Sequence, residues 1–68
     1  MERETMREVE HLEPTKKCDQ CGSTSGTVRY DTFIKQANMW GYLCHACMPY
    51  FGTQSSVTTK IRYVKRTS

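Results

Sequence analysis

The chain has 68 residues, with four cysteines, 25% charged residues and a formal net charge of +3. A chain this short forms one domain that buries only about 60% of its unfolded surface, so a metal, disulfides or a partner usually stabilise it. The length excludes a Rossmann unit with a substrate domain, a barrel and an α/β-hydrolase, and no apolar run approaches the ~20 residues of a membrane span. Since no signal or transit peptide is recognisable, we expect a reducing cytoplasm, where disulfides are rare.

Residues 1–14 are predicted to form an acidic, flexible arm. The arm contains five glutamates and two arginines, a net charge of −3, whereas the rest of the chain carries eight cations and two acids, a net charge of +6. Met6, Val9 and Leu12 recur at intervals of three, as on a narrow helical face, and Pro14 ends any such helix. An isolated helix this short is marginal in water, so we expect a frayed segment, or one that becomes ordered on a partner or on the rest of the chain.

The remaining segment, residues 15–68, is predicted to be a zinc-binding domain of the α+β class. Alternation of β-branched and aromatic residues with polar ones predicts a β-hairpin, with strands over 27–35 and 39–44. A helical segment of one or two turns, with a proline in its first turn, is expected to end at Gly52, because glycine suits a helix C-terminus. The alternation resumes in the tail and predicts a final strand over 57–64.

All four cysteines fall into two Cys-x-x-Cys pairs, Cys18/Cys21 and Cys44/Cys47, with 22 residues between the pairs. Two residues between thiols allow a tight turn to present both sulfur atoms to one ion while backbone amides point at the sulfurs. Gly22 directly follows the first pair, where such a turn often needs a positive φ. Two turns of this kind complete a tetrahedral shell of four sulfur ligands, which suits Zn²⁺. The spacing therefore predicts one structural zinc ion.

Other uses of the four cysteines are less favoured by the sequence. Two disulfides would require an oxidising compartment, and a redox Cys-x-x-Cys normally lies in a βαβ fold, for which the chain is too short. An iron–sulfur cluster uses the same ligands and stays open as an alternative. A catalytic zinc keeps one position for water, whereas here four thiolates fill the shell and no glutamate lies beside them. We therefore expect neither an enzyme nor a small-molecule substrate.

The sequence around the second cysteine pair also resembles a known group of proteins. The run from Met39 to Cys47, which reads MWGYLCHAC, together with Gly52 and the downstream KIRY of residues 60–63, resembles small phage-encoded zinc-ribbon-like proteins. These proteins carry an N-terminal Cys-x-x-Cys, a hairpin, a tryptophan-containing strand into a second pair, and a basic tail ending near a tyrosine. The resemblance covers about residues 18–63. It implies a zinc ribbon or treble clef with two knuckles, located in the host cytoplasm.

Two parts of the predicted sheet carry residues suited to binding a partner. Phe33 shares a predicted strand face with Arg29 and Lys35. If that face is exposed, Phe33 would offer a stacking platform for single-stranded nucleic acid. The alternative is that Phe33 packs against the final strand. Trp40 is expected to pack on the zinc knuckle. Lys60 and Arg62 on the final strand are expected to lie about 6.6 Å apart, a distance comparable to that between successive phosphates on one nucleic-acid strand. The alternative is that these charges prevent aggregation of a solvated edge strand. The candidate binding residues are Arg29, Phe33, Lys35, Lys60, Arg62, Lys65 and Arg66.

Two hypotheses about function follow, from different classes. Zinc ribbons and treble clefs of transcription and translation proteins bind nucleic acid or polymerase, and the basic residues here favour a non-enzymatic module that binds nucleic acid or the transcription machinery. The alternative is a phage-type interaction module that binds and modulates a host enzyme such as RNA polymerase. In that case the acidic arm would contact a basic groove or mimic nucleic acid there. The sequence slightly favours the first hypothesis.

Overall fold

The computed structural model describes residues 6–53 and 55–65. It is a small α+β structure with a four-stranded mixed sheet and one short helix. In chain order the elements are β1 (Arg7–Leu12), β2 (Val28–Ile34), β3 (Met39–Cys44), α1 (Met48–Phe51) and β4 (Thr59–Val64). The strands lie in the order β1-β4-β2-β3, so the last strand in the sequence lies inside the sheet and the first lies at its edge.

Strands β2 and β3 form the predicted antiparallel hairpin, and β3 has the predicted bounds. The alternation in β2 is confirmed, because Tyr30, Thr32 and Ile34 are all buried. In the turn between the strands, Asn38 has a φ of 54°, a left-handed conformation that asparagine adopts more readily than most residues. The period-2 pattern therefore identified this hairpin, and short-range turn chemistry closes it.

Helix α1 consists of a single turn where the sequence predicts one or two turns. Pro49 lies in that first turn, where a missing backbone N–H removes no helical hydrogen bond. Gly52 ends the helix, and its N–H donates to the carbonyl oxygen of Met48 at 3.0 Å. The Met48 side chain is 2% exposed, so this turn contributes to the core although it is too short to be stable alone.

Strand β4 is the predicted final strand and lies between two neighbours. It pairs antiparallel with β2, with Ile61 opposite Arg29, and parallel with β1, with Val9 opposite Ile61. Ile61 and Tyr63 are each 5% exposed, whereas Arg62 between them is exposed. The predicted alternation is therefore confirmed over Thr59–Val64, whereas residues 57 and 58 precede the strand, with Val57 64% exposed and Thr58 buried.

The acidic N-terminal segment differs from its expected form. Residues 7–12 form strand β1, neither a helix nor an unpaired arm outside the domain, and they pair with β4 along their whole length. The physical reason is that β4 would otherwise present an open edge, and the acids of β1 lie opposite its cations. Of the alternatives, ordering on the rest of the chain is the one that the structure adopts. Greater mobility of this segment stays a prediction.

The core joins the hairpin to the two cysteine turns. One cluster of buried side chains combines strand residues with two of the cysteines and the start of α1, namely Cys18, Tyr30, Ile34, Leu43, Cys47 and Met48. Cys18 and Leu43 are fully buried. Because two cysteines are themselves core residues, the packing of the domain and the geometry of the cysteine site depend on each other.

Candidate metal centre

The first cysteine pair lies in a tight turn that precedes β2. The Gly22 N–H donates to the carbonyl oxygen of Cys18 at 2.9 Å, and the Cys18 N–H donates to the carbonyl oxygen of Ser23 at 2.9 Å. Gly22 has a φ of 78°, as expected for the residue after the pair, and this conformation favours glycine. The Cys21 N–H points at the Cys18 sulfur from 3.5 Å, the amide-to-sulfur contact that offsets thiolate charge.

The second pair lies where the hairpin meets the helix. Cys44 is the last residue of β3, and Cys47 immediately precedes α1. The Cys47 N–H donates to the carbonyl oxygen of Cys44 at 3.1 Å, which closes a second tight turn. A strand end and a helix start therefore fix the positions of these two thiols.

The two turns bring all four sulfur atoms to one point. The Sγ atoms of Cys18, Cys21, Cys44 and Cys47 lie within 4.8 Å of one another, and those of Cys21 and Cys44 are 3.7 Å apart. A tetrahedral ion bound to sulfur at about 2.3 Å places its ligands about 3.8 Å apart, so the donor set fits one metal ion. All four thiols are free, and no two of them form a disulfide. The predicted four-cysteine cluster is thus confirmed.

The environment of the site affects its two buried thiols in opposite directions. Burial tends to raise the pKa of Cys18, but backbone N–H groups, including that of Cys21, stabilise its thiolate and lower the pKa to about 6. Burial raises the pKa of Cys47 to about 12, and hydrogen bonding to the neighbouring thiols adds to the increase. Proton loss from the first sulfur is therefore easier than from the second, whose proton a bound cation would have to displace.

Asp19 attaches the first cysteine turn to the outer edge of β3. Its N–H donates to the Tyr42 carbonyl oxygen at 2.7 Å, and its Oδ2 accepts from the Tyr42 N–H at 2.8 Å. Gly41 allows this approach, because a Cβ there would lie 2.7 Å from Oδ2 and 2.9 Å from the Ile34 Cδ1 atom. No pattern in the sequence predicts this contact, since Asp19 lies among turn residues that indicate only a loop.

Arg29 was predicted to bind a partner, but the structure buries it. The residue is 1% exposed, and its guanidinium donates to four backbone carbonyls at 2.7 to 2.9 Å. The acceptors are the carbonyl oxygens of Lys16, Ser23, Ser25 and Val28. Three of these lie on the segment that surrounds the first cysteine turn, so Arg29 holds that segment against the sheet and is not available to phosphates. An alternating pattern does not reveal this role, because a charged residue in a strand usually faces solvent.

Both basic residues of β4 lie opposite acids of β1, and Arg62 is paired with one of them. Lys60 lies opposite Glu8, and Arg62 lies opposite Glu10, whose carboxylate accepts a hydrogen bond from the Arg62 guanidinium. Lys65, just beyond β4, is exposed. Arg66, another predicted binding residue, lies outside the described residues. The acids of the N-terminal segment therefore oppose two cations that the sequence analysis assigned to a partner.

Phe33 and Trp40 form an accessible aromatic pair. They lie opposite each other in the hairpin, with ring centroids 6.0 Å apart and planes at 73°. Regular pairing between β2 and β4 ends at Asp31, and the aromatic contact of Phe33 is with Trp40. Trp40 is 53% exposed and lines a small surface pocket together with Asp19 and Gln20 of the first cysteine turn. Its packing on the zinc knuckle stays a prediction. Lys35, two residues after Phe33, is also exposed.

We compared the chain with protein-family models, with curated proteins and with solved structures, and no match was found. Within the described ranges, the structure contains no helix with the length and apolarity that a membrane crossing requires. The function is therefore inferred from the site and the surfaces of this chain.

Proposed function

We propose that this chain is a non-enzymatic, zinc-stabilised module of the zinc-ribbon or treble-clef type that binds single-stranded nucleic acid. The observation that carries the proposal is the exposed Trp40 beside Phe33, with Lys35 just beyond the strand that carries Phe33. These three residues are called the Trp40 surface. The metal centre has a different role from the Trp40 surface. Its four thiolates stabilise the fold and leave no coordination position for a substrate.

Zinc is the proposed ion because of the ligands and their separation. Four thiolates at tetrahedral spacing suit Zn²⁺. Sulfur atoms this close to one another leave little room for a multi-iron core between them. When bound, the ion would cross-link the first turn to the hairpin through Cys18, Cys21, Cys44 and Cys47. Its role is then structural.

The Trp40 surface suits an unpaired base more than a duplex. Every base has a π-face, so an accessible indole and a neighbouring phenyl ring can stack on bases without reading their sequence. Lys35 supplies one cation for the backbone. With Arg29 buried and two cations of β4 opposite acids, stacking contributes more to this binding than charge does. A weak salt dependence is therefore expected.

Trp40 is the sole tryptophan of the chain, so its fluorescence reports binding directly. Titration with a single-stranded oligonucleotide should quench it, while a duplex of the same length should have little effect. Trp40→Ala should weaken binding by at least about tenfold in an anisotropy assay, as expected for the loss of one base-stacking residue. Tyr50→Ala is the matched control, because Tyr50 is 80% exposed but lies in α1. The proposal fails if the wild type does not bind at low salt, or if both variants bind equally.

A second function is favoured by the charge of the metal-loaded chain. Four thiolates with one Zn²⁺ contribute −2, which reduces the net charge from +3 to about +1, little for a nucleic-acid binder. Met39, beside Trp40, is 59% exposed, and clustered aromatic and methionine side chains also occur at protein interfaces. The phage-type module that modulates a host enzyme such as RNA polymerase would use this surface. Capture of a host protein that persists after nuclease treatment and is lost in Trp40→Ala would support it.

A further inference from the structure

Strand β1 is attached to the sheet through β4. In the described sheet it lies at one edge, with β4 as its neighbouring strand. The six residues pair in parallel, and the pairing extends past both ends, from the Arg7 N–H to Thr58 at 3.1 Å and from the Glu13 N–H to Val64 at 2.9 Å. The interaction is therefore a continuous main-chain ladder between the first and the last strand.

Side-chain burial contributes little to this attachment. All six residues of β1 are exposed, including its two large apolar residues, Val9 at 38% and Leu12 at 55%. Val9 lies opposite Ile61, and the His11 ring meets Tyr63 edge-on with 6.0 Å between ring centroids, yet both β1 side chains stay exposed. An edge strand with exposed side chains opens locally at low free energy, and opening exposes the unpaired N–H and C=O groups of its neighbour.

Charge complements the ladder. Glu8 lies directly opposite Lys60, and Glu10 directly opposite Arg62. These four side chains and Val9 line an open depression of about 260 Å³ on the surface. The two acids are spaced by two residues, as are the two cations, so their period matches the strand period. The edge of β4 therefore presents both a strand template and a charge pattern, and β1 shows what fits it.

We propose that the outer edge of β4 is a binding site for an extended acidic segment of a partner protein, and that β1 is its intramolecular occupant. The partner segment would add as a parallel strand, with acids two residues apart opposite Lys60 and Arg62. The ladder needs the N–H and C=O groups of a polypeptide, which a sugar-phosphate backbone lacks. The outer edge of β4 faces β1 at one end of the strand order, whereas the Trp40 surface belongs to the β2–β3 hairpin at the other end. The inference therefore does not rest on the proposed function.

The test uses the full, metal-loaded chain and a fluorescent peptide with the sequence of residues 6–13. Glu8→Lys with Glu10→Lys places like charges opposite each other, which should release β1. This double variant should bind the peptide at least about tenfold more tightly than the wild type, whose edge is occupied. Adding Lys60→Glu and Arg62→Glu restores complementary charges within the chain, so the fourfold variant should lose that binding.

Two further comparisons separate strand addition from charge attraction. A peptide with Val9→Pro keeps every charge but loses a ladder N–H, so its binding should be much weaker. A single-stranded oligonucleotide of similar charge should not replace the peptide. Glu8→Gln with Glu10→Gln, which removes charge without repulsion, should shift binding in the same direction by a smaller factor, and it carries the test if the lysine variant does not retain its metal.

Three results would overturn the proposal. The first is equal peptide affinity for the wild type and for both double variants. The second is equal binding of the proline peptide, which would mean that no strand forms. The third is an oligonucleotide that binds the opened edge as tightly as the peptide does, which would make the edge a nucleic-acid site.

Discussion

At the scale of single residues, Arg29 is the most constrained side chain of the molecule. A buried guanidinium is costly unless its donors are satisfied, and here four backbone carbonyls accept from it. Three of these carbonyls lie between residues 16 and 25, a segment without a helix or strand. One side chain thus substitutes for a secondary-structure element in this part of the chain.

Arg29→Ala should lower the free energy of unfolding of the metal-loaded chain by about 3 kcal/mol, because buried carbonyls lose charged donors. It should also weaken zinc binding, since the turn that carries Cys18 and Cys21 is no longer held against the sheet. Chemical denaturation and a competitive zinc titration measure the two effects. Lys35→Ala, at an exposed position just beyond the same strand, should leave both unchanged. An Arg29→Ala chain as stable as the wild type would show that the burial of this side chain contributes nothing.

At the scale of elements, the strands differ in how much they bury. Strand β2 has four buried residues, whereas every residue of β1 is exposed. The sheet should therefore not open as one unit. Its edge at β1 opens first, and the hairpin next to the metal centre opens last.

Amide hydrogen exchange should show this difference directly. Amides of residues 7–12 should exchange at least about tenfold faster than those of residues 40–47, because opening β1 exposes little apolar surface. Raising the salt concentration should speed exchange in β1 further, since its charge pairs are solvent-exposed. NMR-detected exchange at two salt concentrations is the measurement. Equal protection in the two segments would mean that β1 is an integral part of the folded core.

Some elements of the fold could be predicted from the sequence and others could not. Cysteine spacing and two-residue alternation are local patterns, and they identified the cysteine cluster, the hairpin and the final strand. Pairing of β1 with β4 joins residues such as Glu10 and Arg62, which are 52 positions apart, and no local pattern encodes it. The burial of Arg29 and the exposure of Trp40 depend on what covers each face, which alternation alone does not determine.

At the scale of the whole molecule, the proposed metal ion and the core would stabilise the same structure. Four thiolates on a zinc ion would contribute on the order of 10 kcal/mol at neutral pH, more than a core of this size supplies. Cys18 and Cys47 belong both to the cysteine cluster and to the core. Loss of the ion would therefore remove the cross-link and loosen the packing at once.

Excess chelator, or Cys47→Ser, should unfold the domain, with loss of NMR dispersion in the hairpin. Zinc affinity should rise with pH, because an unfolded metal-free chain carries its cysteines as neutral thiols over most of this range, and binding must release their protons. The gain is about tenfold per pH unit for each proton released. Competition titrations between pH 5 and 8 test this, and a flat profile would contradict it.

The placement of β4 inside the sheet determines the order of events during synthesis. The four cysteines and the hairpin lie within residues 18–47, so zinc can bind before the last strand leaves the ribosome. The first strand emerges earliest but cannot pair until Thr59–Val64 is complete, and its acids stay in solution until then. Contacts so distant along the chain form slowly. A nascent chain with its metal site filled therefore passes through a hairpin with an open β2 edge, and β4 and then β1 complete the sheet once β4 has emerged.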